Sequence, residues 1–312
     1  MVRRRSWVTF GAVALVSSVA SIAPALAEVP SVDGPADASA PATPGVVACP
    51  VFGVPVPVGS TSADLPELSG LAPSLTPGRW WTHNDSGDSP RIFQIDTDLR
   101  VVTELRFAVA FAFDMEDIAL GPDGRIWAAD IGDNLSIRPG VVLWGVGQQD
   151  ASGTVTPVTL NLRYPDGAHD AESLMIDPLT GDGFIVTKEI VGGRSSVYRI
   201  PAQAFTAPPA GFVTLEPVGS IDVSDGGPIG PTAADISPSG ADIVVKTLTT
   251  TYLWPRARGA SVVDTLVASP HAPCRIAGAG TGEAFAFSTD GRHVATISEG
   301  VGVPLVTLER ST

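Results

Sequence analysis

The sequence predicts an all-β fold: a single β-propeller of five or six four-stranded blades, closed by an N-terminal strand. The first observation is a repeat, because a strand, a tight turn and a second strand recur five times along the chain. The second is the spacing of these repeats, which is close to the roughly 40–50 residues of a four-stranded blade. The third is that short apolar segments and turn signals continue from about Val47 to the end without a helical period.

One repeat, residues 113–134, shows the plan of the others. Residues 118–120 (IAL) form an apolar strand, and residues 121–124 (GPDG) are tight-turn chemistry, because proline fixes φ and glycine accepts positive φ. Residues 125–129 (RIWAA) form the returning strand, which ends in the polar run 130–134 (DIGDN). The repeat therefore predicts a hairpin with oxygen-bearing side chains at both of its open ends.

The same plan begins at five positions: Ser69, Glu116, Glu172, Ala234 and Glu283. The intervals between them are 47, 56, 62 and 49 residues. The longest interval contains a loop rich in alanine and proline, residues 201–209, which explains its length.

The first 46 residues are predicted to lie outside the fold. Residues 1–27 combine three arginines, an apolar run and a small-residue cleavage site (ALA), the pattern of an export signal peptide. Ordinary secretion is favoured, and the paired arginines leave a twin-arginine route open. Residues 28–46 are a disordered linker rich in proline and alanine, so the propeller domain is 47–312. The mature protein is expected outside the cell or in the cell envelope.

The chain is acidic, with a formal net charge of −14 at pH 7. Nucleic acids and anionic membrane surfaces need a basic face, so neither is expected as a partner. No second apolar segment of about 20 residues follows the signal peptide, so no membrane span is expected.

The two cysteines, Cys49 and Cys274, are predicted to form a disulfide, because an even count in an exported chain favours pairing. A strand within residues 46–58 is expected to complete the last blade, as ring closure requires. On the chain-entropy model, a bridge across so long a loop stabilises the fold by about 5 kcal/mol.

Acidic and amide side chains collect at the open ends of the hairpins. In a propeller blade the inner strand begins, and the second strand ends, on the same face of the disc, so these side chains converge. Crowded carboxylates favour a bound cation, and Ca²⁺ fits because it takes six to eight oxygen ligands in loose geometry. Zinc is disfavoured, since the four histidines show no close ligand spacing. The predicted metal ligands are Asn84, Asp85, Glu116, Asp130, Asp133, Glu172 and Glu283.

The chain has only two lysines, Lys188 and Lys246, and both fall near second-strand ends of neighbouring repeats. Two ammonium groups beside a carboxylate ring would hold an anionic or ester ligand, phosphate above all, against bound calcium. The alternative is that each lysine only balances a neighbouring acid. His83 is the candidate general base, although the sequence around it (HNDSGD) is also ordinary turn chemistry.

Other features have simpler explanations or are absent. Tryptophans recur within the strands, and packing between blades accounts for them. The sequence has no G-x-S-x-G elbow, no H-E-x-x-H motif and no phosphate-binding glycine loop, so serine hydrolases and nucleotide enzymes find no support.

Four pairs of segments carry a family resemblance: ELSGLAPS with WTHNDSGD, MEDIALGPDG with ADIGDN, HDAESLMIDPLTGD with VTKE, and GEAFAFSTDGR with SEG. They resemble actinobacterial exported propellers grouped with the esterase-like phytase and calcium-dependent propeller hydrolase families, over residues 67–300. The resemblance implies a central acidic site on one face of the disc, which in phytases holds calcium ions and phosphate. This chain departs from them in having few basic residues and five clear repeats where six are usual.

Two functions from different classes follow. The first is a calcium-dependent hydrolase of phosphoesters or carboxylic esters, in which calcium polarises the substrate and activates water. The second is a non-catalytic binding or protein-interaction propeller of the cell envelope that uses the same face.

Overall fold

The structure is a computed structural model that describes residues 47–189, 194–268 and 273–311. The predicted signal peptide and linker lie outside these residues. Within them the chain forms five sheets, each with four antiparallel strands that start from an inner strand at the central axis, and two of the sheets carry a fifth, parallel strand. The fold is therefore a five-bladed β-propeller, and of the two predicted blade numbers the smaller is correct.

Four strands build each blade, and the hairpin of the first two strands supplies the site. From the inner to the outer edge, the strands are β2 (Leu68–Pro73), β3 (Arg79–Asn84), β4 (Arg91–Asp96) and β5 (Val101–Phe107) in blade 1; β6 (Met115–Leu120), β7 (Arg125–Asp130), β8 (Val141–Gly147) and β10 (Val158–Arg163) in blade 2; β11 (Ala171–Ile176), β12 (Gly183–Thr187), β13 (Ser195–Ile200) and β15 (Glu216–Ile221) in blade 3; β16 (Pro231–Ile236), β17 (Asp242–Thr247), β18 (Thr251–Pro255) and β19 (Cys274–Arg275) in blade 4; and β20 (Ala284–Phe287), β21 (His293–Ile297), β22 (Leu305–Glu309) and β1 (Val56–Val58) in blade 5.

Short additional elements connect the blades. Strand β9 (Gly153–Val155) pairs in parallel with β5 of the preceding blade, and β14 (Val213–Thr214) pairs in parallel with β10. Two one-turn helices, α1 (Ala202–Thr206) and α2 (Val262–Leu266), lie in outer connections. Neither is long enough to cross a membrane, so the described residues contain no candidate membrane-spanning helix.

Closure of the ring follows the prediction from the sequence. The N-terminal strand β1 pairs antiparallel with β22 and completes blade 5. The Cys49–Cys274 disulfide is present, with its Cα atoms 5.8 Å apart. Because Cys274 begins the outer strand of blade 4, the bridge fastens the closing segment to the neighbouring blade as well.

The hydrophobic core lies between the blades rather than within one of them. Each of five buried clusters draws its side chains from two adjacent blades, so blade contacts continue around the whole ring. The strand tryptophans predicted to pack between blades are buried in these clusters: Trp81, Trp127, Trp144 and Trp254.

A β-bulge near the start of the inner strand recurs in the first four blades. The residues that the bulges leave unpaired are Gly70, Glu116, Glu172 and Thr232. A bulge turns one side chain away from the regular alternation, which places these residues at the mouth of the channel. The fourth repeat therefore starts at Thr232, and the predicted start at Ala234 is two residues too late.

Candidate functional site

The two faces of the disc differ in how they are built. On one, the acidic face, the inner strands begin and the second strands end. On the other, the turn face, tight turns join the inner strand to the second strand of each blade. The oxygen-bearing residues predicted from the sequence belong to the acidic face.

Two groups of three carboxylates lie on the acidic face and share one member. Asp85, Glu283 and Glu299 have ligand oxygens that all lie within 4.8 Å of one another, and so do Asp85, Asp114 and Glu116. Asp85 follows β3 in blade 1, and it lies between blade 2 on one side and blade 5 on the other. The shared carboxylate can therefore bridge two adjacent cation positions.

Burial and mutual repulsion perturb these acids. Burial, followed by the charges of Asp85 and Asp114, raises the pKa of Glu116 well above its ordinary value. Burial and then the Glu283 charge raise the pKa of Glu299 to about 7. Burial is also the main cause of the raised pKa values of Asp85, Asp114 and Glu283. A divalent cation would relieve both causes, because it neutralises the carboxylates and replaces their lost hydration.

Gly132 makes room for the second group. A Cβ atom at this position would overlap the carboxylates of both Glu116 and Asp114. The Gly132 amide donates to the Asp114 carbonyl at 3.2 Å, and the Asn134 amide nitrogen donates to the Asp114 carboxylate, also at 3.2 Å. The loop after β7 thus holds Asp114 against Glu116.

Lys188 lies on the same face, where its charge acts on members of both carboxylate groups. Its ammonium group pairs with the Glu172 carboxylate, and both side chains are largely buried. Burial raises the pKa of Asp85, and the Lys188 charge partly opposes that rise. The balancing role that the sequence left open for the lysines therefore describes Lys188.

Lys246 lies elsewhere, so the predicted pair of lysines does not form. It pairs with Ala233 in the hairpin of blade 4, a position equivalent to Val186 in blade 3 and two residues before Lys188. Its side chain is 0% exposed, its ammonium donates to the Gly280 carbonyl at 3.0 Å, and burial lowers its pKa to about 8. The two lysines cannot hold one anion together.

His83 is fully buried, which argues against its predicted role as a general base. Its Nδ1 donates to the Asn84 carbonyl at 2.9 Å, and Nε2 lies against Gly70, where a Cβ atom would overlap it. Burial lowers the pKa of His83 to about 4. A neutral ring without solvent access cannot exchange protons with a substrate on the face.

Three predicted ligands organise the loops around the site. Asp130 accepts hydrogen bonds from the amides of Phe113 and Asp114 and pairs with Arg138 at 2.8 Å. Asp133 accepts from the Arg138 amide at 2.7 Å. Asn84 donates to the Asp88 carboxylate, whereas its buried Oδ1 has no hydrogen-bond partner among the described residues. Asp130 and Asp133 are thus engaged, and Asn84 retains a free oxygen.

Two members of the carboxylate groups, Asp114 and Glu299, are absent from the predicted ligand set. Asp114 precedes β6 by one residue and lies outside the repeated plan, so the repeat offered no signal for it. Glu299 lies two residues past β21 and was recognisable as a second-strand end. A search for acids within two residues of each predicted repeat start would have found Asp114, which lies two residues before Glu116.

Open space and apolar surface adjoin the carboxylates. A cavity of about 360 Å³ between blades 4 and 5 is lined by Glu283, Glu299, Leu248 and Thr249, among others. Next to Asp114, the side chains of Phe111 and Phe113 are 57% and 61% exposed, and their rings pack edge to face with centroids 4.7 Å apart. The site therefore combines charged oxygen ligands with apolar contact surface.

No protein-family model and no curated protein matches this chain by sequence. Solved structures with a similar fold include a gluconolactonase from Xanthomonas campestris, 14% identical, with a TM-score of 0.48, covering 87% of this chain and 98% of that chain. Streptogramin B lyase is 13% identical with a TM-score of 0.41 and covers 78% of this chain, which spans 65% of the lyase chain. A β-propeller domain from Myceliophteria thermophila is 12% identical with a TM-score of 0.42, covering 78% of this chain and 84% of that chain. At such identities and TM-scores these similarities indicate no function for this chain.

Proposed function

We propose that the acidic face binds Ca²⁺ and that the protein is a calcium-dependent hydrolase of carboxylic esters, lactones included. The observation that carries the proposal is that Asp85 belongs to two carboxylate groups whose oxygens lie within 4.8 Å of one another. A shared carboxylate between two such groups is suited to one cation or to two adjacent ones.

The donor set favours a hard cation. Every ligand in the two groups is a carboxylate oxygen, and the free Oδ1 of Asn84 lies one residue from Asp85. Zinc prefers nitrogen and sulfur ligands. The nearest histidine in sequence, His83, is buried in the core, and both cysteines are in the disulfide. Calcium is the cation that accepts many oxygen ligands in loose geometry.

A bound calcium ion would supply Lewis-acid polarisation of the ester carbonyl and a more acidic bound water. The chain positions the substrate. The cavity beside Glu283 and Glu299 is open to a small acyl or lactone group, and the Glu172–Lys188 pair limits how much negative charge remains at the mouth. The exposed Phe111–Phe113 pair offers contact to an apolar part of the substrate.

A carboxylic ester fits this face better than a phosphate monoester. A phosphate dianion needs several cationic donors, and Lys246 is buried in blade 4 while Lys188 is paired with Glu172. A neutral ester needs no cationic donors, and apolar surface beside a bound metal ion would add to its binding. The substrate class proposed is therefore a neutral ester with an apolar group.

A turnover screen of the purified propeller tests the proposal. p-Nitrophenyl butyrate, a γ-lactone and p-nitrophenyl phosphate are assayed with millimolar Ca²⁺ and with chelator. Calcium-dependent cleavage of the ester or lactone is expected, and it should disappear in Asp85→Asn but persist in Asp150→Asn, an exposed control far from the site. Cleavage that chelator leaves unchanged, or that survives Asp85→Asn, would contradict the metal-dependent mechanism.

A non-catalytic binding propeller is the second candidate, and a specific observation favours it. His83 is buried, and the Nε2 atom of the partly exposed His169 lies within hydrogen-bond distance of Asp166 and Tyr198 rather than of either carboxylate group. Exposed apolar side chains on two neighbouring loops could instead contact another protein: Phe111, Phe113, Leu135 and Ile137. Calcium-dependent stabilisation without turnover of any ester would support this candidate over the hydrolase.

A further inference from the structure

The other mouth of the channel, on the turn face, contains a cavity of about 270 Å³. Every blade contributes the last residue of its inner strand to the wall. These five residues, four large and apolar and one a proline, form a ring: Pro73, Leu120, Ile176, Ile236 and Phe287. The five-fold repeat of the fold therefore builds an apolar cup around the axis. Its volume is just below the roughly 300–1,000 Å³ of drug-sized sites, so it suits a small ligand.

One charged side chain, Asp235, lies in the wall of this cup. Its two carboxylate oxygens accept hydrogen bonds from the amides of Ile236 and Phe287, both at 2.8 Å. Among the described residues no lysine or arginine forms an ion pair with it, unlike the many surface acids that do. Each carboxylate oxygen accepts two hydrogen bonds readily, so the group retains acceptor capacity.

The apolar surroundings of Asp235 destabilise its charged form when no cation lies beside it. Burial raises the pKa of Asp235 to about 7, even though two amides favour its charged form. An opposite charge at hydrogen-bond distance would stabilise that form, and the attraction is stronger in apolar surroundings than in water. Within the described part of the chain, the wall of the cup has no other ionisable group; the buried Asp117 carboxylate on β6 is close enough that, after burial, the Asp235 charge is among the causes of its raised pKa.

We propose that this cup binds a small apolar amine as its ammonium ion, with the cation on Asp235 and the hydrocarbon against the ring of inner-strand residues. A metal ion is disfavoured because a single carboxylate in an apolar cup cannot supply six or more oxygen ligands. An anion is disfavoured by the charge of Asp235. The site lies on the opposite face from the carboxylate groups and does not depend on the proposed hydrolase activity.

Benzylammonium is the probe, and its neutral analogue benzyl alcohol tests whether the charge is recognised. Titration calorimetry on the purified propeller at pH 8 should show benzylammonium binding at least tenfold more tightly than benzyl alcohol. Affinity for benzylammonium should fall as the pH is lowered through 7, because Asp235 becomes protonated. Equal affinities for the two probes, or no binding of benzylammonium at millimolar concentration, would overturn the proposal.

Two variants locate the site. Asp235→Asn should weaken benzylammonium binding at least tenfold, and a melting curve shows whether the variant still folds. Leu75→Lys changes a wall residue that is 59% exposed, so folding should be preserved, and its own ammonium should compete for Asp235. Leu75→Met is the matched control and should bind as the parent does. Unchanged binding in Leu75→Lys and in a folded Asp235→Asn would show that the amine binds elsewhere.

Discussion

Asp85→Asn provides the sharpest test of the acidic face, because this residue belongs to both carboxylate groups. A ligand present at about 100 times its dissociation constant stabilises a folded protein by about 2.7 kcal/mol. In a domain of this size that corresponds to a rise in melting temperature of about 5–10 °C. The wild-type protein should show this rise between chelator and millimolar Ca²⁺, and Asp85→Asn should show none.

Without calcium, Asp85→Asn should not lower the melting temperature of the protein. Burial is the main cause of the raised pKa values of Glu116, Glu283 and Glu299, and the Asp85 charge adds to each rise, so removing that charge relieves repulsion in the unliganded cluster. Asparagine can still accept the hydrogen bond from the Ser86 amide. In chelator, Asp85→Asn should therefore melt at or above the wild-type temperature.

Variants that change only one of the two carboxylate groups should reduce the calcium-dependent rise in melting temperature without abolishing it. Asp114→Asn and Glu299→Gln each alter one group and should keep part of the calcium shift, while the exposed control Asp150→Asn should keep all of it. Melting is followed by circular dichroism, with and without chelator. If Asp85→Asn keeps the wild-type shift, the shared carboxylate does not bind calcium; if it lowers the melting temperature in chelator by many degrees, its role is structural.

Three further predictions concern residues around the site and within the blades. Gly132→Ala should abolish the part of the calcium-dependent rise in melting temperature that comes from Asp85, Asp114 and Glu116, because the new Cβ atom forces the carboxylates of Asp114 and Glu116 apart. Gly147→Ala is the control: its Cβ atom would meet no atom within 4 Å, so the rise should be unchanged in the same melting assay. Lys246→Met should remove the rise in stability that the wild-type protein shows at alkaline pH. Burial lowers the pKa of Lys246 from 10.5 in the unfolded chain to about 8 in the folded protein, so the wild-type free energy of unfolding increases by about 3 kcal/mol between pH 8 and 10.5. Denaturant unfolding of the variant should show no such increase. His83→Phe should reduce the loss of stability at acid pH. Burial lowers the pKa of His83 from 6.5 in the unfolded chain to about 4 in the folded protein, so the wild-type free energy of unfolding should fall by about 3 kcal/mol as the pH falls from 6.5 to 4. Equal falls in both proteins would count against the burial of a neutral His83.

The architecture was predictable from the sequence because it depends on features that repeat. A strand, a turn and a strand at intervals near 50 residues leave few folds other than a propeller. The closing strand β1 and the Cys49–Cys274 bridge followed from the need to join the first and last blades. Convergence of the hairpin ends followed from the way blades are arranged, and it placed Asp85, Glu116 and Glu283 together on the acidic face.

The details of the site were not predictable because they depend on single-residue register. A β-bulge adds one residue to the inner strand and reverses which side chains face the channel, and no composition signal marks it. Lys246 was predicted to match the register of Lys188 near a second-strand end, whereas it lies at the position of Val186, two residues earlier, where its side chain is buried. His83 was misplaced for a related reason, since a polar run after a strand does not show where the buried strand ends.

Asp117 explains why the two mouths of the channel are chemically separate. Its carboxylate is 0% exposed and accepts hydrogen bonds from its own strand at Ile118, from Leu174 at 2.8 Å and from Ala234 at 3.3 Å, so it joins three of the five inner strands. It lies one residue beyond Glu116 along β6, between the acidic face and the apolar cup. Because a buried carboxylate held by three amides is fixed in place, ions on the acidic face and an amine in the cup have no shared space. Calcium at one mouth and benzylammonium at the other should therefore bind without competition, and calorimetry with both ligands should return the same benzylammonium affinity in Ca²⁺ and in chelator.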